Sequence, residues 1–176
     1  MSITLLRHGE TERPGRYNGR SDVALSRQGF SQMETAVAGA DWDHILSSPL
    51  RRCADFAGAL AQRLNRPMST DARLCELDFG EWEGCTAAEL QLRVPEALGR
   101  FWSDPNQHPP PGGEAVSSLR DRVLATLFEQ AAVHSGKRLL IVTHGGPIRV
   151  LLAQRDGIAL NQLLSIEVAL AARDEL

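Results

Sequence analysis

The chain has 176 residues, 19 Lys and Arg against 22 Asp and Glu, a formal charge of −3 and 43% apolar residues. That length suits one domain with a substantial core, read here as residues 1–176. The slightly acidic balance offers no field for nucleic acid or an anionic membrane, so any anion must be bound locally. No positively charged leader and no apolar run approaching about 18 residues is present, so the expected location is cytoplasmic. Cys53, Cys75 and Cys85 are odd in number and lack CxxC or Cys/His spacing, so they read as reduced thiols without a metal or redox role.

Residues 3–6 are too few for a helix and rich in branched aliphatics, which predicts a buried strand. Arg7 and His8 fall at its carboxyl end, where parallel α/β sheets bind ligands, and Gly9 would let the backbone approach a ligand closely. Arginine presents a fork of donors to an anion, and a neutral histidine can act as nucleophile or base near pH 7. An isolated Arg-His pair is, however, more often a solvated strand end. Residues 13–20 have no apolar period, two glycines and three arginines, so they read as a loop beside this corner. Ser26 is placed to cap a helix over 28–40, with Phe30, Met33, Val37 and Ala40 on one period. Residues 44–47 are the next strand, and His44 there is read as structural.

Ser48 before Pro49 predicts an N-cap with proline at the first helical position. The helix would offer free N–H groups, and Arg52, one turn in, could reach an anion held there. Phe56, Leu60 and Leu64 share its inner face up to a turn at 65–67. Residues 67–70 form a short strand, and carboxyls then crowd residues 76–83. Residues 86–102 are helical in two pieces broken near Pro95, and 104–113 form a proline-rich ordered loop or lid. Leu119, Val123, Leu127 and Ala131 continue a helical stripe that Ser117 could cap and Ser135-Gly136 would stop. Gly136-Lys137 is not a nucleotide loop, because GxxxxGK[ST] lacks its first glycine and its last hydroxyl.

Residues 138–142 repeat the opening grammar: an apolar strand runs into His144, Gly145 and Gly146. A helix over 147–154 follows, with Pro147 at its first position and its N-terminus toward the same corner. Residues 160–163 make a helical turn, 164–170 alternate as an edge strand, and the last residues are expected to fray. Strand ends distant in sequence can be neighbours in one sheet, which would set His8 and His144 on one pocket.

LRHGET at 6–11 with VTHGG at 142–146 resembles the histidine phosphatase superfamily, whose members include cofactor-dependent phosphoglycerate mutases, broad phosphatases and α-ribazole phosphatases. DVALSRQG at 22–29, SSPLRRC at 47–53, LCELDFGEWEG at 74–84 and PGGEA at 111–115 extend the resemblance over nearly the whole chain. It implies an α/β fold, a three-layer sandwich with a mostly parallel central sheet flanked by helices. It also implies that His8 is the nucleophile of a phosphohistidine mechanism and Glu76 the proton donor, with Asp78 a weaker rival and Glu81 and Glu83 solvated or structural. Arg7, Arg52 and His144 would form the anion pocket, with no metal and no cofactor.

Relatives carry an asparagine after RHGE-T/S-x-W where this chain has Pro14, which offers neither a side-chain donor nor an N–H. Asn18 is the candidate to replace that phosphate contact, and Gly112 and Gly113 would permit a tight approach to the site. The mutases are longer, which favours hydrolysis. RHGETE, ELDFGEWEG and PPGGEA look most like α-ribazole phosphatases of cobalamin synthesis, whose substrate, α-ribazole 5′-phosphate, carries a benzimidazole. Tyr17, Phe79, Trp82 or Trp102 could stack on that ring, although each reads more readily as core or lid packing. A broad sugar-phosphate or nucleotide phosphatase, a mutase-like enzyme and a catalytically silent binder of phosphorylated ligands stay open. The expected partner is a small phosphomonoester, with neither nucleic acid nor membrane.

Overall fold

A computed structural model of the chain describes residues 2–176. Strands β1 (Ser2–Arg7), β2 (His44–Ser47), β3 (Met68–Thr70), β4 (Arg138–Thr143) and β5 (Arg173–Glu175) form one sheet in the order β3-β2-β4-β1-β5. All pairings are parallel except that of β5 with β1. The aliphatic runs of β1 and β4 are continuous because both faces of the sheet are covered. Ile3, Leu5, Leu139 and Ile141 face one layer, and Leu6, Leu140, Val142 and Ile45 face the other.

Helices α1 (Arg27–Ala36) and α2 (Arg51–Leu64) fill the second layer with Met33, Phe56 and Leu60, joined by Val37 just beyond α1. On the opposite face lie α5 (Val116–Val133) and α6 (Gly145–Asp156), which contribute Leu119, Val123, Ile148 and Leu151. Helices α3 (Ala87–Arg93) and α4 (Pro95–Ser103) lean on the same cluster through Leu90, Leu98 and Phe101. Three layers around a mostly parallel sheet are the architecture the sequence resemblance implies. His44 bonds Ser69 Oγ at 2.8 Å and stacks on His134, away from the strand ends that carry the other two histidines.

Several local expectations differ from the structure. Ser26 does cap α1, but the helix stops at Ala36 instead of residue 40. The N-cap of α2 is Leu50, not Ser48, so Pro49 precedes the helix. Ser48 N–H instead extends the β2–β4 ladder to the Val142 carbonyl, which holds the residue in the sheet. Pro147 is the third residue of α6, which begins at Gly145, and Ser117 lies inside α5, whose cap Ala115 makes no side-chain bond.

Residues 164–170 are not a strand. A 3-10 turn over Leu160–Ser165 leads into an extended strap, and the edge strand comes after it, at Arg173–Glu175. The chain end is therefore paired with β1, not frayed. Gly9 serves close packing of backbone on backbone instead of ligand approach, since a Cβ there would fall on the Gly29 backbone. Gly113 does the same against Asp78 and Gly80, so the Pro-Gly-Gly segment braces the 78–81 turn and not the site.

Gly29 provides a test in which two effects oppose. Helix propensity alone makes Gly29→Ala favourable by about 1 kcal/mol. The new Cβ, however, would lie 2.6 Å from Glu10 N and closer still to its carbonyl oxygen, and both are backbone atoms. Overpacking of this kind costs about 1–3 kcal/mol or more. The expected outcome is a lower urea midpoint at unchanged slope; a midpoint equal or higher would show that the two segments separate freely.

Candidate active site

The site forms where three parallel strands end side by side. Arg7 pairs with Thr143 in register, and the ladder runs one bond further, from His8 N–H to the Thr143 carbonyl at 3.0 Å. That register sets the two histidines together, with ring centroids 5.2 Å apart and planes at 63°. Ser48, at the end of β2, reaches the same point from the other side of β4.

Hydrogen bonds fix the two rings as opposite tautomers. His8 Nδ1 lies 2.8 Å from the Gly9 carbonyl, which can only accept, so Nδ1 carries the proton and Nε2 keeps its lone pair. His144 Nδ1 accepts from Arg52 Nε at 3.1 Å, so its proton sits on Nε2 and is donated to Ser48 Oγ at 2.8 Å. Ser48 passes its own hydroxyl proton toward Cys75 Sγ at 3.8 Å. Burial, aided by the Arg52 and Arg7 charges, pushes the His8 pKa down to about 3. Burial and Arg52 hold His144 well below its ordinary value as well. Both rings are thus neutral at physiological pH. Cys53, packed against His144, is pushed upward by burial and stays a thiol.

Arg52 is fully buried, and its guanidinium faces backbone instead of the cavity. Nη1 donates to Ser21 O at 2.7 Å, and Nη2 to Asn18 O at 2.8 Å and Gly19 O at 2.7 Å. The loop that offers these carbonyls is held from behind by Glu83. Its carboxylate accepts from the N–H groups of Gly19, Arg20 and Ser21 and from Ser21 Oγ at 2.6 Å. Glu83 is therefore structural, as one of the sequence alternatives had it. The first N–H of α2, that of Arg51, is taken by Asp22 Oδ1 at 2.7 Å, so a protein carboxylate occupies the helix end that was expected to be free for an anion.

A cavity of about 440 Å³ opens in front of His8. Arg7, His8, Glu76, Asn18 and Gly146 line it, whereas Arg52 and His144 stand behind its wall. Arg7 donates through Nη1 to Val168 O, and its buried Nε has no partner. Glu76 accepts from Leu77 N–H at 2.8 Å and from Gly146 N–H, near the start of α6, at 3.0 Å. A Cβ at Gly146 would collide with Glu76 Oε1, so any larger residue there would displace the carboxylate. Asp78 is occupied in the turn, accepting from Gly80 N–H at 2.8 Å, and Glu81 is exposed on the surface.

Asn18 lines the cavity, but its amide nitrogen is spent on Arg13 O at 2.9 Å and only its Oδ1 is unpaired. Tyr17, Phe79, Phe101 and Trp102 form the apolar wall, and Trp102 Nε1 bonds Tyr17 OH at 3.1 Å across its edge. Trp82 is buried in the core and cannot stack on a ligand.

Three features escaped the sequence. Ser48 orients His144, a role its N-cap signal concealed. The strap after residue 165 holds the site from below: Arg7 N–H bonds Ala172 O at 3.0 Å, and Ala171 N–H bonds His8 O at 3.2 Å. Ala171 takes a left-handed φ of 54° to do so. Arg149 also lines the cavity. Its signal was a lone arginine inside the otherwise apolar stretch 148–153, since an arginine is rarely buried without a purpose.

The chain belongs to the histidine phosphatase superfamily (branch 1), whose model matches residues 3–176. Over 156 residues it is 36% identical to a bifunctional protein of Mycobacterium tuberculosis, covering 85% of this chain but only 43% of that protein. The chain thus spans less than half the length of that relative. Phosphoserine phosphatase 1 of Hydrogenobacter thermophilus is 31% identical over 94% of this chain and 81% of its own length. The structure of mycobacterial glucosyl-3-phosphoglycerate phosphatase superposes with a TM-score of 0.88 at 26% identity, covering 99% of this chain and 88% of that one. An α-ribazole phosphatase structure from Shigella flexneri gives 0.85 at 24%, with 99% and 89% covered, a likeness of fold. Among the described residues no three metal-binding side chains cluster, and no helix is long and apolar enough to cross a membrane.

The depressed histidines make stability fall with acid. With a folded pKa near 3 and an unfolded value near 6.5, His8 binds its proton more readily in the unfolded chain. Its contribution is complete above pH 6.5 and is lost by up to about 1.4 kcal/mol per pH unit below it. His8→Gln should therefore flatten the decline of unfolding free energy between pH 6.5 and 4, measured by urea titration. An equally steep decline in the variant would mean that His8 is not neutral in the folded state.

Proposed function

We propose that the protein is a metal-independent phosphomonoester hydrolase that works through a phosphohistidine at His8. The observation that carries this reading is the unpartnered, neutral Nε2 of His8, which faces a cavity shared with the Arg7 guanidinium and the Glu76 carboxyl. In the first step a bond forms from His8 Nε2 to phosphorus and the bond to the leaving oxygen breaks. Glu76 gives its proton to that oxygen. Water then attacks phosphorus, Glu76 takes up its proton, and the N–P bond breaks to release inorganic phosphate.

Arg7 holds the phosphoryl oxygens. Arg52 and His144 act from behind, through charge and through their mutual hydrogen bond. Asn18 Oδ1 is an acceptor, so it suits a substrate hydroxyl better than a phosphate oxygen. For the substrate we favour α-ribazole 5′-phosphate, with a role in cobalamin synthesis in the cytoplasm. Supporting it are the sequence resemblance and the wall of Tyr17, Phe79, Phe101 and Trp102, which suits a flat ring. Phosphoserine and phosphoglycerate-type esters, named for relatives, are the competing substrates.

His8→Ala should abolish turnover of p-nitrophenyl phosphate and remove the acid-trapped phosphoenzyme formed from labelled substrate. Label on another residue, or near-normal turnover, would refute the nucleophile. Glu76→Gln should lose roughly 10²-fold or more in kcat on an alkyl phosphate, the usual worth of a positioned acid, and far less on p-nitrophenyl phosphate, whose leaving group needs no proton. Equal losses would make Glu76 a positioning group. Kinetics with α-ribazole 5′-phosphate beside O-phosphoserine and 3-phosphoglycerate decide the substrate, and a kcat/KM no better for the first would exclude it.

A further inference from the structure

Arg149 has no role in the reading above. It stands in the second turn of α6 and donates through Nε to Ile166 O at 2.9 Å. Among the described residues its two terminal nitrogens have no acceptor, although the side chain borders the cavity. Arg7 is fastened in the same manner two residues further along the same strap, at Val168 O. The two guanidinium groups converge over Gly145, where a Cβ would lie 2.8 Å from Arg149 Nη1 and 3.5 Å from Cζ and Nε of Arg7. Among the described residues neither arginine forms an ion pair with a carboxylate. Burial draws both downward from the ordinary arginine value, the Arg149 and Arg52 charges add to this at Arg7, and Glu76 opposes it at both.

Two neighbouring cations held by neutral carbonyls, each with donors to spare, repel one another until an anion enters between them. A carbonyl anchor for Arg149 would need one donor and no charge, so anchoring alone does not account for an arginine. We propose that Arg149 is a further phosphoryl ligand, which closes with Arg7 on the dianion that His8 attacks. The inference rests on the phosphatase reading and adds a third guanidinium to the site. It divides the labour among the arginines: Arg7 and Arg149 face the substrate oxygens from the strap side, while Arg52 spends most of its donors on the loop behind His8. As the phosphoryl group passes through its transition state, its charge spreads over oxygens that both cavity arginines can meet with paired donors.

The test uses the full chain with Arg149→Met and Arg149→Lys, and inorganic phosphate and orthovanadate as probes in titration calorimetry. Arg149→Met should weaken both anions by about tenfold or more, as loss of a charge-assisted donor pair requires. Lysine, which keeps the charge and loses the fork, should fall between the two. O-Phosphoserine and phosphoethanolamine differ by one carboxylate, and their kcat/KM should drop by the same factor, on the order of 10². A loss confined to O-phosphoserine would make Arg149 a reader of a second anionic group and overturn the proposal. Unchanged anion affinity with only a lower Tm would make it structural and overturn it as well, and should the methionine variant not fold, the lysine variant decides. Anion binding is read without turnover, so failure of the phosphatase reading appears separately, as absence of p-nitrophenyl phosphate hydrolysis in the unaltered protein.

Discussion

Everything at the site depends on one backbone hydrogen bond, that from His8 N–H to the Thr143 carbonyl, which carries the β1–β4 ladder past the end of both strands. Because β1 and β4 are apolar on both faces, alternation does not fix their register. Their polar ends do. A slip of one residue would draw Arg7 into a layer of apolar side chains, and an unpaired charge there costs on the order of several kcal/mol. The true register leaves Arg7 opposite Thr143 and lets the strap before β5 accept from its Nη1.

From this contact follows a chain of donors in which each member decides the next. Glu83 gathers the N–H groups of the loop at 19–21, and the loop turns its carbonyls onto Arg52. Arg52 donates to His144 and fixes its tautomer, and His144 donates to Ser48. A buried guanidinium with no carboxylate partner is tolerable because nearly all its donors are satisfied. It leaves an uncompensated positive charge behind His8, which adds to burial in keeping that ring neutral. The site is thus preorganised by backbone groups, whose positions the fold determines.

The layers and the two histidine corners were legible because they rest on patterns local to the sequence: short aliphatic runs that stop at a charged residue, and glycine beside them. Arg7, His8 and Glu76 line one cavity. What could not be read was the use of a side chain whose partner is far away. Ser48 looks like a cap until His144 is beside it, and Asp22 looks like a loop residue until it closes the end of α2. Arg52 looks like a phosphate ligand until the loop carbonyls surround it. Residues 164–170 alternate like a strand, but their carbonyls are used by Arg7 and Arg149, which removes them from any ladder. Arg149 itself belongs to no stretch the motifs covered.

The central claim is that two neutral histidines are held as opposite tautomers, leaving one ring nitrogen of His8 free to attack. It is tested most directly by ¹⁵N–¹H NMR of the histidine side chains in the unliganded protein. The account predicts that His8 carries its proton on Nδ1 and His144 on Nε2, with both rings remaining neutral from pH 8 down to at least pH 5. A proton on Nε2 of His8, or an imidazolium on either ring at pH 6, would contradict it.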